Sequence, residues 1–371
     1  MDPLAHTLVG ATLAETTFGR TTARAVPMLI LAANAPDIDA VTMFVSRDLS
    51  LGFRRGWTHG VLSLMILPLL LAGLVLLADR AIAHARQRPA RARAGPLIAL
   101  GYLGILTHPA LDWLNTYGVR LLMPFDGRWF YGDALYIVDP WLWLLASATV
   151  VLAHSEATGS WAAWVSLGLL STALVTGVAG VPSEARVAWL VGIGVICGLR
   201  AWGGVQPGLM RRRMATGCLG AAMVYIATMV IGSRLAADQA RTWLAEHGET
   251  ATAIMAGPIP ANPFVRDIVV VDDKHYHFLE LHWLGQPLIR PTATAIDRGP
   301  RGPIIEAALE APHLQGLTTW MRFPAFGVED ERDGYRVTVQ DVRYMRRRDT
   351  NLGTTVVYLD QDLNIREGNG R

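Results

Sequence analysis

The chain has 371 residues, 51% of them hydrophobic and only 17% charged, with a mean hydropathy of +0.29. Soluble domains carry about 25% charged residues, so the deficit points to a membrane protein. The formal net charge of +2 gives no reason to expect nucleic acid as a partner, and no basic-aromatic stretch argues for one.

The N-terminus, "MDPLAHTLVGATLAETTFGR", lacks a basic region and a cleavage pattern, and is not read as a signal peptide. Residues 3–18 and 24–45 follow as two modestly apolar segments carrying His6, Glu15, Asp37 and Asp39. They read as helices packed against a bundle or partly inserted, rather than ordinary spans. A span needs about 20 apolar residues. The clear candidates are 60–77, 96–113, 141–153, 161–181, 187–202 and 214–235, the third and fifth being short. Cys197 and Cys218 lie in apolar runs and offer neither a disulfide framework nor a thiolate metal site.

Arginine-rich loops set the orientation. Residues 80–93 hold five arginines and "GLMRRRMA" three more, Arg211 to Arg213, so both loops are assigned to the cytoplasmic side. Four spans separate them, an even number, as a shared side requires. The start of the 60–77 span, the end of the 96–113 span and everything after 235 then face outward.

From residue 236 the texture changes. A short helix over 236–247 is expected, followed by a β-rich domain to 371. Its signals are β-branched alternation in "ANPFVRDIVVVDDKHYHFLELHWLG", "GYRVTVQDVRYMRRR" and "TTVVYLDQDLNI". The expected fold class is mainly α: a polytopic helical bundle over 1–235 with a small C-terminal extramembrane domain over 236–371.

Within this apolar frame, "GYLGILTHPALDWLNTYG" sets His108 and Asp112 four residues apart, on one helix face. Ionisable groups inside membrane segments are costly and usually mark a site. A His–Asp bond between helices would explain this pair alone. His6, His59, Asp37 and Asp39 extend it to three histidines and three carboxylates in the first 112 residues. Imidazole with carboxylate suits zinc, and also manganese or iron(II), while the absence of thiolates favours a catalytic over a structural zinc site. Arg54, Arg55, Arg120 and Arg128 fall near the outer surface, against the positive-inside bias, and are candidates to hold an anionic substrate or to snorkel to headgroups. Asp139 is a candidate for orienting a ligand, and Asp126 and Asp133 read as loop acids. In "HYHFLELH", His275 and His277 share a strand face; with His282 at a strand end, the three read as surface histidines more readily than as a metal site. His84, His154, His247 and His313 are assigned no function.

The series His6, "PDID", "RGWTH" and His108-x-x-x-Asp112 resembles the YdjM-type family of membrane-bound metal-dependent hydrolases. "LNTYGVRLLMPF", "DALYIVDP" and "GPIPANPF" resemble that family's longer members, and the likeness is strongest over 1–140. Arg54 departs from the pattern where many members have histidine, and Gly60 where they often have serine. The family is remotely similar to the zinc phospholipase C and single-strand nuclease fold. The resemblance implies one site from Asp37, His59, His108 and Asp112, with His6, and Asp112 as a bridge, at a second ion. Asp39 is the alternative to Asp37. One or two divalent ions are expected, zinc first.

The sequence therefore reads as an inner-membrane, metal-dependent hydrolase in which metal-activated water attacks a phosphoester, lipid or lipid-linked, at the outer face. Whichever of Asp37 and Asp39 is not a ligand is the base. The rival is a metal or ion transporter, or a non-enzymatic scaffold, using the same cluster. Transporters usually place ligands at the midplane between repeated halves; here they lie at span ends, with no repeat.

Overall fold

Asp2 opens the first helix: its carboxylate accepts the Ala5 N–H at 3.0 Å, and Pro3 stands in the first turn, so the exposed N–H groups of a helix start are answered. The computed structural model describes residues 1–155, 158–178, 180–203, 208–345 and 353–366. Helix α1 (Pro3–Glu15) leads to α2 (Ala25–Asn34), which tightens into a 3-10 segment over Ala35–Phe44, and then to α3 (Arg47–Phe53). The long apolar helices follow: α4 (Val61–Ala85), α5 (Ala94–Trp113), α6 (Pro140–His154), α7 (Thr158–Gly177), α8 (Ser183–Ala201) and α9 (Leu209–Glu246).

Among the described residues, five helical stretches are long and apolar enough to cross a membrane: Ala25–Phe44, Val61–Ala85, Ala94–Trp113, Gly159–Gly177 and Leu209–Glu246. On α4, Leu70, Leu74 and Leu77 form one stripe and are 58%, 64% and 60% exposed, as a face turned to hydrocarbon requires. The set differs from the sequence expectation in two places. Ala25–Phe44 joins it, because the apolar run of α2 is long enough to carry the two aspartates of the 3-10 segment. Helix α8 does not, because Glu184, Arg186 and Arg200 put three charges into 19 residues. Helix α6, at 15 residues, is apolar but short.

Two compact units emerge. The first comprises Met1–Ile38, Arg55–Leu235 and Gly257–Arg266; the second comprises Asp39–Arg54, Ala236–Ala256 and Asp267–Arg371. The first is built on α1, α2, α5 and α6, whose buried apolar residues include Leu8, Met28, Leu29, Leu97, Leu100 and Leu142.

At the C-terminal end lie β1 (Ala253–Ile259), β2 (Asn262–Val271), β3 (His275–His282), β4 (Ile289–Asp297), α10 (Pro303–Leu309), α11 (Gln315–Trp320), β5 (Pro324–Glu331), β6 (Gly334–Asp341), β7 (Thr354–Leu359) and β8 (Ile365–Arg366). They form two four-stranded sheets, in the orders β1-β2-β3-β4 and β5-β6-β7-β8, with antiparallel pairing along β3–β4 and β5 to β8. Strand alternation supplies two buried faces. Ala256, Ile268, Val270, Leu279 and Leu281 pack on Ala236, Ala240 and Leu244 of α9. Met255, Val269, Val271, Tyr276 and Phe278 pack on Phe323, Ala325 and Val342. The short helix expected over 236–247 is the last turns of α9, which runs on unbroken past Leu235 to Glu246. In the same unit the Asp48 carboxylate of α3 accepts the N–H groups of Gly316 and Leu317 at 2.9 and 3.0 Å.

Candidate metal centre

Small residues bring three helices into backbone contact. A Cβ on Gly10 of α1 would stand 2.8 Å from the Ala33 Cβ and 2.9 Å from the Leu29 carbonyl oxygen; one on Gly104 of α5 would stand 2.6 Å from the Ala32 Cβ. Helices α1 and α5 therefore both ride on the Leu29–Ala33 stretch of α2, as small-residue seams allow in membranes. One turn beyond Gly104, this approach sets His108 Nδ1 2.6 Å from the Ala33 carbonyl oxygen. A carbonyl only accepts, so Nδ1 carries a proton; with no second proton on the ring, Nε2 presents a lone pair.

That lone pair meets carboxylates. Asp37 Oδ1 and Asp112 Oδ2 both lie 3.6 Å from His108 Nε2, and His59 Nε2 lies 3.1 Å from Asp112 Oδ2. One ligand atom from each of Asp37, His59, His108 and Asp112 lies within 4.8 Å of all the others. Around a tetrahedral ion with bonds of about 2.0–2.1 Å, ligand atoms stand about 3.4 Å apart, close to these spacings. His108 Nε2 is buried and has no hydrogen-bond partner. A ring lone pair facing two carboxylates is repulsive unless a cation, or a second proton on the ring, stands between them. The donor set fits a divalent ion.

Each ligand is delivered differently. Asp37 sits where α2 tightens into the 3-10 segment. His108 and Asp112 occupy the end of α5. His59 precedes α4, whose start is clamped by the Val61 N–H donating to the Leu121 carbonyl at 2.9 Å. A Cβ on Gly60 would lie 2.3 Å from the Met123 carbonyl oxygen, which accounts for glycine rather than serine there. The His6 ring stacks on His108 with centroids 3.7 Å apart and planes 14° apart, and its Nε2 lies 3.3 Å from Asp112 Oδ1. His6, His59, His108 and Asp112 are fully buried.

Arg55 meets the same carboxylate oxygen as His6: its Nη2 lies 3.0 Å from Asp112 Oδ1, and Nη1 donates to Asn115 Oδ1 at 2.8 Å. The Met1 amino group also contacts this oxygen. Arg55 has φ of 55°, a left-handed conformation unusual for a side-chain-bearing residue. Its guanidinium lies 4.6 Å from the Tyr117 ring centroid, and its carbonyl accepts the Arg120 N–H at 2.8 Å. A Cβ on Gly56 would come within 2.5 Å of Arg120 Nη2, so the glycine of "RGWTH" gives Arg120 room. Arg120 is buried, with its guanidinium 5.0 Å from the Trp129 ring centroid.

The match to known families decides what this constellation belongs to. The YdjM inner membrane protein family matches residues 1–183. Those residues belong to that family. No curated protein and no solved structure matches the chain. The YdjM region contains His6, Asp37, His59, His108 and Asp112 together.

Other sequence candidates in the YdjM region have contacts of their own. Asp39 and Arg54 belong to the second compact unit, 3.7 Å apart from carboxylate to guanidinium. Arg128 is largely exposed and pairs with Asp126 at 2.8 Å. Asp139 caps α6, accepting the Leu142 N–H at 2.9 Å and the Tyr225 hydroxyl at 2.8 Å; burial pushes its carboxyl up to about 6. It is an anchor of α6 and α9. Three further groups hold this unit together. Asn115 lies one turn after Asp112 and was legible by spacing. The Ala33 carbonyl leaves no mark in the sequence. Arg266 looks like an ordinary strand charge, yet it is fully buried and donates to the carbonyls of Ala134 and Met229 at 2.9 and 3.0 Å; burial pulls its guanidinium down to about 10.

Proposed function

We propose that the protein is a membrane-bound, metal-dependent hydrolase of phosphoesters, lipid or lipid-linked, working at the outer face of the inner membrane. The observation that carries the reading is the buried Nε2 of His108, facing the carboxylates of Asp37 and Asp112 with His59 beside them. Zinc is the first choice of ion for two imidazoles and two carboxylates. A divalent ion held there supplies Lewis acidity and lowers the pKa of water toward neutrality.

The protein's own groups have separate tasks. Ala33 fixes the His108 tautomer, and Arg55 fixes the rotation of the Asp112 carboxylate. Arg55 also bears on the number of ions. Its positive charge sits on Asp112 Oδ1, the oxygen that a second ion shared with His6 would need, so we favour one ion over two. With Asp37 among the ligands, Asp39, two residues along the chain, is the proposed base. Arg120, beside Arg55 on a shared backbone contact, is the arginine we assign to an anionic phosphoryl group. Arg54 and Arg128, engaged with Asp39 and Asp126, are assigned to the headgroup region. The outward-facing site and the extracytoplasmic β-rich domain are part of the proposal; they rest on the positive-inside bias of the two arginine loops and need an even number of crossings between them.

The test is a phosphodiester and phosphomonoester screen, including phospholipids, on purified protein in detergent, with Asp112→Asn as the control. Ester hydrolysis that requires Asp112 supports the reading. Metal flux into liposomes without hydrolysis would replace it with the transporter.

A further inference from the structure

The β-rich region carries a second constellation, outside the residues the family match covers. The sequence sets His275 and His277 on one face of β3, with His282 at the strand end, and reads the three as surface histidines. The structure pairs His282 elsewhere, its Nε2 lying 3.1 Å from Glu280 Oε2. Asp272, in the turn between β2 and β3, takes its place. Asp272 Oδ1 accepts the N–H groups of Lys274 and His275, both at 2.6 Å. That fixes the carboxylate and presents Oδ2 to the two rings. His277 Nε2 lies 2.7 Å from Oδ2, and His275 Nδ1 lies 3.8 Å from it. One ligand atom from each of the three residues lies within 4.8 Å of the other two.

A structural hydrogen bond explains His277 on Asp272. It leaves His275 unexplained, since 3.8 Å is beyond hydrogen-bond range but within the spacing of two ligands on one ion. The three residues are 30–42% exposed at their side chains, so an ion from solution has access. Beside them opens a cleft of about 510 Å³ lined by Thr250, Thr252, Asp273, Lys274 and His275. The charges there are mixed: Asp273 and Lys274 border the cleft, and Arg298 donates to the Asp272 and Asp273 carbonyls at 3.0 and 3.4 Å. Two imidazoles and one carboxylate are the donors that zinc, copper(II) and nickel(II) take. Three protein ligands leave at least one coordination position open, as in sites that bind or activate a further ligand rather than close around the ion.

We propose that Asp272, His275 and His277 form a second, surface-accessible site for a divalent transition-metal ion, with its open position on the cleft. It is independent of the membrane cluster. The experiment uses full-length protein in detergent, stripped by chelator and titrated with Co²⁺ as the probe, following d–d absorption and ion stoichiometry. Four proteins are compared: wild type, H275A/H277A, D272N and H282A. The wild type and H282A should each bind one equivalent more than the double variant. D272N keeps the oxygen that accepts the turn's N–H groups but loses the ligand oxygen. It should weaken that equivalent by more than the roughly 10–100-fold that losing an outer-shell partner costs. Equal stoichiometry and affinity in all four proteins would overturn the proposal, as would equal loss on H282A, which would mean diffuse histidine binding. A double variant that fails to fold leaves D272N to decide. The membrane cluster contributes equally to every protein compared, so failure here does not bear on the hydrolase reading.

Discussion

Arg55 shows what a single residue contributes and what its letter conceals. In the sequence it is one of four arginines near a span end, indistinguishable from a headgroup or substrate contact. In the structure it is buried, held at positive φ, and bound to the carboxylate that also meets His59 and His6. Breaking a buried ion pair by removing one partner typically costs about 3–5 kcal/mol, and losing the orienting partner of a metal ligand costs about 10–100-fold in affinity. Arg55→Gln should therefore lower the melting temperature and weaken metal binding by at least about tenfold, measured by chelator competition. Unchanged affinity would show that Arg55 does not orient the Asp112 carboxylate. Residue by residue, the ligand set was legible where helical spacing carried it, as with His108 and Asp112. It was illegible where the partner is backbone, as with the Ala33 carbonyl, or where a charge could equally face a carboxylate or a substrate.

At the scale of elements, the centre depends on how closely α1, α2 and α5 approach. Gly104 stands one turn before His108, and its missing Cβ is what lets α5 reach the Ala32–Ala33 backbone. Gly104→Leu should force these helices apart at an overpacking cost of about 1–3 kcal/mol, break the His108–Ala33 hydrogen bond and reduce bound metal severalfold while the chain still inserts. Full metal content in an inserted Gly104→Leu protein would contradict this role. The helices themselves were largely readable, because about 20 apolar residues have few other uses. The exceptions have physical causes. Residues 24–45 looked only modestly apolar, with Asp37 and Asp39 among them, yet those aspartates cluster at one end of the Ala25–Phe44 stretch. Residues 187–202 looked like a span, yet the helix that holds them, Ser183–Ala201, also carries Glu184 and Arg186 beside Arg200. The β-rich region was legible from alternation alone. Its division into two sheets was not, since strand pairing partners are long-range choices that no local pattern records.

For the whole molecule the property that couples fold to function is sidedness. Helices α5 to α8 lie between the two arginine loops, and α9, at 38 residues, is about 57 Å long, well beyond a hydrocarbon core of about 30 Å. A helix of that length outruns the core, and Ala236, Ala240 and Leu244 in its last turns pack on the first sheet. Single cysteines in a background lacking Cys197 and Cys218 would report the orientation. Gly127 has open space for a side chain, whereas Gly118 has φ of 85° and a Tyr131 ring atom 2.4 Å from any added Cβ, so Gly127 is the better outer-loop site. Gly127→Cys and Asp333→Cys should react with an impermeant maleimide in intact cells, and Ala90→Cys should not; the reverse pattern would place the site and the β-rich domain in the cytoplasm. The central claim, that the His/Asp cluster of the first unit is a metal centre, has a more direct test in elemental analysis of the full-length protein purified in detergent. The measurement is made in an H275A/H277A background, so that only the membrane cluster is counted. About one divalent transition-metal ion per chain is the expectation, reduced to a small fraction by His108→Ala and by Asp112→Ala, with membrane insertion retained in both. Full metal content in both variants, or none in the parent, would contradict it.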